Sequence, residues 1–375
     1  MKNLFFFGTL AFAPLRDLVL GRQAPTEVAR LPSHAVHRVV GRGFAIILPR
    51  MGAEAEGVLL RGATDEDIAR LDFYEGGHGF ERRQIRVIDA QGGAVDAEYF
   101  HTLTPLRPAE PWDAVAWQRD WAGIALETAA DVMALRGARP VAELASRHFP
   151  MQVRAASRLR ARQSAPAELR RASVPEDLKI LRQSQPYANF FAVEEYDVRY
   201  RRFDGRMSDP INRAVFVSGD AVTVLPYDPA RDRVMLIEQF RAGPLGRGDP
   251  QPWLLEAIAG RIDPGETPDE AARREAVEEA GLTLGPLMRV ANYYPSPGAK
   301  TEYLYSYVAL CDLPDGCEGV FGVEDEAEDI RGHLVPFERL MALVTSGEID
   351  NAPLLLTILW LQRERERLRK GGFTG

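Results

Sequence analysis

The pattern of apolar and polar residues divides the chain into two blocks. In the first block, short apolar runs bounded by turn residues predict strands that end near residue 105. The predicted strands cover residues 5–7, 43–48, 55–60, 84–88 and 97–101. A helix is predicted to begin at Thr64, where Asp67 occupies the capping-box position. Residues 111–172 follow a mainly helical pattern, with Trp117 and Trp121 on one apolar face.

The second block begins near residue 187 and has longer apolar strands. Strands are predicted at 221–227, 233–240 and 304–310, an extended segment at 253–259, and helices at 268–280 and 353–369. A chain of 375 residues is too long for one ordinary domain. We therefore expect one domain at 1–125, a helical linker at 126–180 and a second domain at 181–375.

The apolar run after Lys2 superficially resembles a secretory signal. Gly8 and Thr9 interrupt this run, and Pro14 would follow the apparent cleavage site, so a buried first strand is favoured. No apolar run reaches the ~18 residues that a membrane span requires. The two cysteines, Cys311 and Cys317, have no accompanying cluster of metal-binding residues. We expect free thiols, no zinc site, no membrane partner and a cytoplasmic protein.

The net charge of −8 argues against nucleic acid as the main partner, because phosphate contacts need a basic surface. An arginine-rich stretch at 154–171 has two interpretations. The stretch either binds an anionic partner or forms the solvated face of a linking helix, and we favour the second interpretation. An acidic protein that acts on a phosphorylated substrate needs metal ions or local arginines to tolerate the substrate's charge.

Three glutamates in the predicted helix 268–280 carry the candidate chemistry. Glu275, Glu278 and Glu279 are spaced i, i+3 and i+4, so they share one helix face. Like charges there repel unless cations lie between them, and carboxylate oxygens are the ligands that Mg²⁺ prefers. A solvated acidic helix is the alternative for three carboxylates considered alone.

The full spacing around these glutamates favours the metal site. Residues 260–282 resemble the Nudix box, G-x5-E-x7-R-E-U-x-E-E-x-G-U, where U is a bulky aliphatic residue. All seven fixed positions match, and they are Gly260, Glu266, Arg274, Glu275, Glu278, Glu279 and Gly281. Leu282 satisfies the last U position, and Ala276 departs from the first. The resemblance implies an ion pair between Arg274 and Glu266 that holds the loop and helix in shape.

The resemblance also implies the metal and the catalytic base. The implied ligands of Mg²⁺, or of Mn²⁺ as an alternative, are the carbonyl of Ala259 and the side chains of Glu275, Glu279 and Glu328. Glu278 is implied to be a further ligand or a closely coupled neighbour. Glu326 in the acidic loop 322–331 is implied to be the base that activates water. That loop holds five carboxylates, so the assignment of the base stays open by two residues, and a hydrated surface loop is the alternative.

Segments outside the box resemble the ADP-ribose pyrophosphatase branch of the family. Arg241 ends a strand where that branch contacts phosphate, Pro297 follows the box, and Arg213 precedes a strand. The implied reaction is Mg²⁺-dependent hydrolysis of a nucleoside diphosphate such as ADP-ribose to AMP and ribose 5-phosphate. A homodimer through the Nudix domain is also implied. The alternatives are another sugar nucleotide, a dinucleotide, or a sensor that binds ADP-ribose without hydrolysis.

The N-terminal block resembles the gamma-glutamylcyclotransferase-like (AIG2-like) family over residues 3–120. Residues 6–10 resemble its Y-G-S/T-L loop, so Gly8, Thr9 and Leu10 are implied to bind a glutamyl carboxylate. Residues 71–76 resemble its L-D-x-x-E-G segment, whose glutamate, here Glu75, is the acid/base. Phe7 replaces the usual tyrosine, so an inactive binding module is the alternative. Together the resemblances imply an α+β protein, a small β-barrel domain followed by a Nudix α/β/α sandwich.

Overall fold

The computed structural model describes residues 2–163, 166–323 and 328–371. The chain divides into two compact units, Met1–Ala172 with Ala188–Phe190, and Ser173–Tyr187 with Phe191–Gly375. The predicted domain boundaries at 125 and 180 remain predictions. The helical segment that was expected to be part of a linker, as far as residue 161, lies inside the first unit.

The first unit is built on a sheet that closes on itself. Its strands and helices are β1 (Lys2–Phe6), α1 (Ala13–Leu20), β2 (Glu27–Val39), β3 (Ala45–Ala63), α2 (Asp65–Gly76), β4 (Phe80–Asp89), β5 (Ala94–Thr102), β6 (Pro108–Pro111), α3 (Ala114–Asp120), α4 (Ala122–Ala134) and α5 (Ala145–Ala161). The strand order is β3-β1-β5-β4-β2-β6, and β2 also pairs with β3. This extra pairing joins five strands into a ring, which confirms the predicted barrel.

Strand β1 lies between β3 and β5 in the wall of this barrel. Leu4, Phe5 and Phe6 are at most 2% exposed. The pattern of residues 5–7 therefore predicted a core strand correctly. Among the described helices, none is both long and apolar enough to cross a membrane.

Strand β3 replaces the two separate strands that the sequence predicted at 43–48 and 55–60. It is continuous from Ala45 to Ala63, and its register with β2 shifts between Pro32 and His34. Met51, opposite this shift, is 97% exposed. This register shift explains why the apolar pattern of residues 43–60 resembles two strands with a break between them.

The predicted capping box of α2 is present, because the Asp67 backbone NH donates to Thr64 Oγ1 at 3.1 Å.

The second unit contains a mixed sheet between helices. Its strands and helices are β7 (Leu178–Ala188), β8 (Ala192–Tyr200), β9 (Ile211–Val217), β10 (Ala221–Asp228), β11 (Arg233–Phe240), α6 (Ala242–Arg247), β12 (Trp253–Glu256), β13 (Ile258–Arg261), α7 (Pro268–Ala280), β14 (Leu287–Tyr293), β15 (Leu304–Leu310), β16 (Val320–Phe321), β17 (Ile330–Pro336), α8 (Phe337–Ser346) and α9 (Ala352–Arg369). The main path is β14-β15-β10-β11-β17-β16, with β12 on β11 and β13 on β10. Strands β7, β8 and β9 form a separate sheet.

Strand β10 shows why the main sheet is apolar on both faces. Val222 and Val224 pack in the cluster that contains the alanines of α7. Leu225 and Tyr227 pack in the cluster that contains the apolar residues of α8 and α9. Because successive side chains point to opposite faces, helices cover both sides of the sheet. The predicted α/β/α sandwich is confirmed.

The arginine-rich stretch lies partly on α5 and pairs with acids of α4. Arg158 contacts Asp131 at 2.8 Å, and Arg162 contacts Glu127 at 2.6 Å. These ion pairs join the two helices within the first unit. They support the structural interpretation of this stretch.

Candidate active site

Helix α7 has well-defined ends and a small-residue face. Thr267 caps its first turn through a capping box with Glu270, and Gly281 ends it in the left-handed conformation at φ 62°. Ala272 and Ala276 are fully buried against the sheet. These methyl side chains let the helix lie close to β10 and β13. The neighbouring Glu275 and Glu279 are therefore buried as well.

The side chain of Glu275 lies directly over Gly260 of β13. A Cβ atom at position 260 would be 1.8 Å from Glu275 Oε1, so only glycine leaves room for this carboxylate. Glu275 is 8% exposed, and burial raises its pKa to about 7 although Arg274 opposes the shift. The contact with Glu275 therefore explains why the first fixed position of the motif is a glycine.

Glu279 of α7 is held by Ala259, the residue that precedes Gly260 on β13. The Ala259 backbone NH donates to Glu279 Oε2 at 2.9 Å. Glu279 is 2% exposed, and burial raises its pKa to about 8, with further increases from the charges of Glu275 and Glu328. The charge of Glu275 thus destabilises the ionised form of Glu279, and a bound cation would relieve that cost.

Arg274 organises the loop before the helix. Its guanidinium forms two hydrogen bonds with Glu266, at 2.8 and 3.0 Å, and one with the Arg261 carbonyl at 3.0 Å. It also contacts Glu275 at 2.7 Å and Glu278 at 2.9 Å. The predicted Arg274–Glu266 ion pair is present, and its bidentate form fixes the loop geometry.

The acidic loop is described only in part. Glu326, the predicted base, lies outside the described residues. Glu328 is described, and its Oε2 accepts a hydrogen bond from the Val323 backbone NH at 3.1 Å. Its charge raises the pKa values of both Glu275 and Glu279, so it lies near them.

Arg241 approaches the same carboxylates from the end of β11. Its charge lowers the pKa of Glu279, and its Nε donates to Glu256 Oε2 at 2.7 Å. Glu256 on β12 was not predicted as a site residue. Its only sequence signal is a carboxylate in an otherwise apolar strand next to the motif. Burial raises the pKa of Glu256, with Arg241 opposing the shift.

Arg213 and Pro297, also predicted to bind substrate, are exposed on neighbouring segments. Arg213 lies on β9, where its Nη1 donates to the Asn212 carbonyl at 2.8 Å. The loop that holds Pro297 is joined to β9 by the hydrogen bond from the Phe216 NH to the Ala299 carbonyl, at 2.8 Å. The fold therefore brings these two segments together. No hydrogen bond or ion pair of Arg213 within the described chain reaches the acidic face of α7.

The first unit contains a cavity that includes the predicted Glu75. Thr9 and Leu10 line it, together with Phe7, which replaces the tyrosine of the family pattern. Gly8 is buried behind them at φ 57°, where a Cβ would be 2.8 Å from the Ala45 Cβ. Glu75 is 8% exposed, and burial raises its pKa to about 8. Its carboxyl has no hydrogen-bond partner within the described chain.

Residues of α4 and α5 also line this cavity and were missed by the sequence analysis. They are Ala125, Thr128, His148 and Gln152. The segment was interpreted as part of a linker because its apolar face gave no indication of what it covers. His78, three residues after Glu75, is a further unpredicted polar residue of the lining.

Comparison with known families gives two matches along the chain. Residues 217–357 match the family model described as "NUDIX domain", and residues 4–121 match the one described as "Gamma-glutamyl cyclotransferase, AIG2-like". A protein named ADP-ribose pyrophosphatase from Escherichia coli (strain K12) is 39% identical over 193 residues, covering 52% of this chain and 91% of the relative. The chain belongs to the Nudix hydrolase family. It is a pyrophosphohydrolase, as the sequence predicted.

Other relatives of this Nudix hydrolase are named for one of two activities. The ADP-ribose pyrophosphatase of Haemophilus influenzae is 32% identical over 52% of this chain and 90% of its own. A GDP-mannose pyrophosphatase from Enterobacter sp. (strain 638) is 31% identical over 46% of this chain and 89% of its own. A solved structure titled "Crystal structure of ADP compounds hydrolase" covers 52% of this chain and 98% of its own, at 24% identity and a TM-score of 0.39.

Nudix hydrolases use divalent metal ions, and the donor set on α7 is of the right chemistry. Hard carboxylate oxygens suit such ions, and the burial that raises the pKa values of Glu275 and Glu279 makes their ionised forms costly without a cation. Within the described ranges, no three His, Cys, Asp or Glu side chains converge closely enough to hold an ion. Arg274 and the Ala259 NH occupy some of the carboxylate oxygens. The individual ligand roles therefore stay predictions.

Proposed function

We propose that the Nudix unit hydrolyses the pyrophosphate bond of ADP-ribose, with Mg²⁺ or alternatively Mn²⁺, to give AMP and ribose 5-phosphate. The observation that carries this proposal is the pair of buried carboxylates, Glu275 and Glu279, folded over Gly260 and Ala259 with Arg241 beside them. The relatives named ADP-ribose pyrophosphatase support the choice of substrate.

The metal would be held by the carbonyl of Ala259 and by Glu275, Glu278, Glu279 and Glu328. When bound, the ion supplies positive charge that offsets the substrate's pyrophosphate. Glu326, or a neighbouring carboxylate of its loop, removes a proton from the water that attacks phosphorus.

Arg241 is suited to hold the substrate's phosphate. Its Nε is engaged by Glu256, and within the described chain its two terminal nitrogens have no hydrogen bonds. They are left for a bidentate contact with phosphate oxygens. Glu256 is a positioning residue in this proposal, because it fixes the plane of the guanidinium. Arg213 and Pro297 would contact the sugar end of the substrate.

Three alternatives are tested by the same assay. The GDP-mannose pyrophosphatase relative favours another sugar nucleotide as the second candidate, and a dinucleotide is a third. A non-hydrolytic ADP-ribose sensor would bind without turnover. Release of nucleoside monophosphate from a panel of nucleoside diphosphates, with and without Mg²⁺, distinguishes them. Preference for ADP-ribose supports the proposal, whereas tight binding without turnover contradicts it.

For the first unit we propose a gamma-glutamyl cyclotransferase activity, with a binding module as the alternative. Glu75, buried and unpaired in its cavity, supports this activity. It would take a proton from the substrate's α-amine as that nitrogen attacks the γ-carbonyl. It would then return the proton to the departing amine, leaving 5-oxoproline. Loss of 5-oxoproline formation in Glu75→Gln tests this role.

We also propose a homodimer through the Nudix unit. Leu178, Ile180 and Leu181 of β7 are between 44% and 53% exposed, which is unusual for a sheet of a monomer. Sedimentation of the full chain measures the state directly. A dimer that dissociates in Ile180→Glu supports this surface, and a monomeric wild type contradicts it. A cytoplasmic location remains a prediction.

A further inference from the structure

The loop at residues 8–11 is the part of the first unit that is implied to bind a glutamyl carboxylate. Thr9 and Leu10 of this loop line the cavity that contains Glu75. Among the described residues that line the cavity, none is lysine or arginine. A carboxylate bound beside the loop would therefore lose its hydration and meet no cation within the cavity itself.

Arg16 of α1 contacts this loop and is not among the described residues that line the cavity. Its Nη1 donates to the Leu10 carbonyl at 3.3 Å and to the Ala11 carbonyl at 3.2 Å. At the start of the loop, Gly8 has a φ of 57°, and an added Cβ there would be 2.8 Å from the Ala45 Cβ. The loop is thus held at its start by close packing and at its end by hydrogen bonds from Arg16.

The guanidinium of Arg16 is a buried cation without an ion pair in the described part of the chain. Arg16 is 3% exposed, and its Nε has no hydrogen-bond partner there. Burial lowers the pKa of Arg16, and the charge of Asp17 opposes this shift. The Asp17 carboxylate itself accepts a hydrogen bond from the Ala24 NH at 3.2 Å. A buried charge is costly unless it is paired, and two carbonyl oxygens offset that cost only in part.

An anion bound at the loop would supply the negative charge that Arg16 lacks. The guanidinium keeps its proton under all ordinary conditions, so its charge is permanent. Charges in a protein interior are screened less than charges in water, so they interact across several ångströms without contact. Arg16 is therefore placed to favour an anion at the loop although it does not line the cavity.

We propose that Arg16 is a positioning residue of the first unit, which fixes the loop at residues 8–11 and favours an α-carboxylate over an uncharged group in the gamma-glutamyl compound bound there. The proposal rests on the gamma-glutamyl function proposed for this unit. The carboxylate contacts the backbone of the loop, and Arg16 acts on it through the loop. Proton transfer remains with Glu75.

Two compounds that differ only at the α-carboxylate test this role in the full-length chain. They are gamma-glutamylmethylamide and its α-carboxamide, and methylamine release measures the turnover of both. We expect kcat/KM to favour the carboxylate compound by about a hundredfold in the wild type. Arg16→Met should reduce this preference by about thirtyfold, mainly through KM for the carboxylate compound. Arg16→Lys keeps the charge and should restore most of the preference.

A matched control removes the same charge from the surface of the same unit. The side chain of Arg86 on β4 is 71% exposed, so Arg86→Met should leave the preference unchanged. The α-amine of the carboxamide is less basic for every variant alike, so preferences are compared between variants. Calorimetric binding to Glu75→Gln, with and without Arg16→Met, reports affinity without turnover. If Arg16→Met does not fold, Arg16→Gln gives the same comparison, because it removes the charge and keeps an NH donor.

The outcomes separate the role of Arg16 from the function of the unit. A preference that falls in Arg16→Met and returns in Arg16→Lys supports the proposal. Equal losses for the two compounds, which a purely structural role predicts, overturn it and leave the gamma-glutamyl function in place. A wild-type preference near one overturns it in the same way. Absence of both binding and turnover of the carboxylate compound in the wild type overturns the gamma-glutamyl function and the role of Arg16 together.

Discussion

Replacement of Gly260 by alanine tests the position of Glu275, a proposed metal ligand, separately from the stability of the fold. The added Cβ would be 1.8 Å from Glu275 Oε1 and 1.9 Å from its Cδ, whereas ordinary contact begins at 3.4 Å. The carboxylate must therefore move by more than 1 Å. Gly260 has no positive φ, so alanine is compatible with the backbone of β13. The displaced group is the end of a flexible side chain, so the fold tolerates the shift.

The expected result is a large loss of activity with a small loss of stability. A displacement of about 1 Å in a reacting group costs about a hundredfold in rate, so kcat for ADP-ribose should fall by about that factor in Gly260→Ala. The thermal unfolding midpoint should change by only a few degrees, consistent with about 1 kcal/mol. AMP release and differential scanning calorimetry measure the two quantities.

Gly246→Ala is the matched control. Gly246 also lacks a positive φ, and an added Cβ there would meet no atom within 4 Å. This variant should retain wild-type kcat. Wild-type turnover in Gly260→Ala would refute the reasoning that links the glycine to the position of Glu275. Unfolding of Gly260→Ala would refute the reasoning that only a side-chain end has to move.

Three further predictions concern charged groups. Arg274→Lys loses the bidentate contact with Glu266 and should lower the free energy of unfolding by about 1–2 kcal/mol in a denaturant titration, and unchanged stability would contradict the structural role of the pair. Glu256→Gln removes the charge that orients Arg241 and should raise KM for ADP-ribose by about tenfold with a smaller change in kcat, whereas a kcat effect alone would contradict a positioning role. Glu75 acts as a base only when ionised, and its pKa is raised to about 8. The rate of 5-oxoproline formation should therefore rise by about tenfold per pH unit up to that pKa and then level off, and a flat profile between pH 6 and 8 would exclude Glu75 as the base.

Local signals in the sequence were sufficient to predict the helix of the second unit that carries the three motif glutamates. Helix α7 was predicted with the bounds that the structure gives, because its capping residues and its closing glycine are adjacent in sequence. The spacing of Glu275, Glu278 and Glu279 defines one helix face without tertiary information. The Gly260–Glu275 contact gives the physical reason for a glycine at position 260, which the sequence showed only as one fixed position of the motif.

Long-range contacts account for what the sequence did not predict. The pairing of β2 with β3 contains a register shift, so β3 resembles two strands when only local alternation is considered. His148 meets His78 through packing of α5 on the barrel, and no spacing rule relates these positions. Glu256 is a charged residue in a short strand, and its role depends on Arg241 from the neighbouring strand.

The central proposal is that the buried carboxylate face of α7 is the site of ADP-ribose hydrolysis. One measurement tests it directly. The measurement is AMP release from ADP-ribose in Mg²⁺ by wild type, by Glu279→Gln and by Glu366→Gln, whose carboxylate is 89% exposed on α9. Glu279→Gln keeps an acceptor for the Ala259 NH, so it should fold normally while kcat falls by about a thousandfold or more. Glu366→Gln should match wild type. Near-normal turnover in folded Glu279→Gln would contradict the assignment of this helix face as the active site.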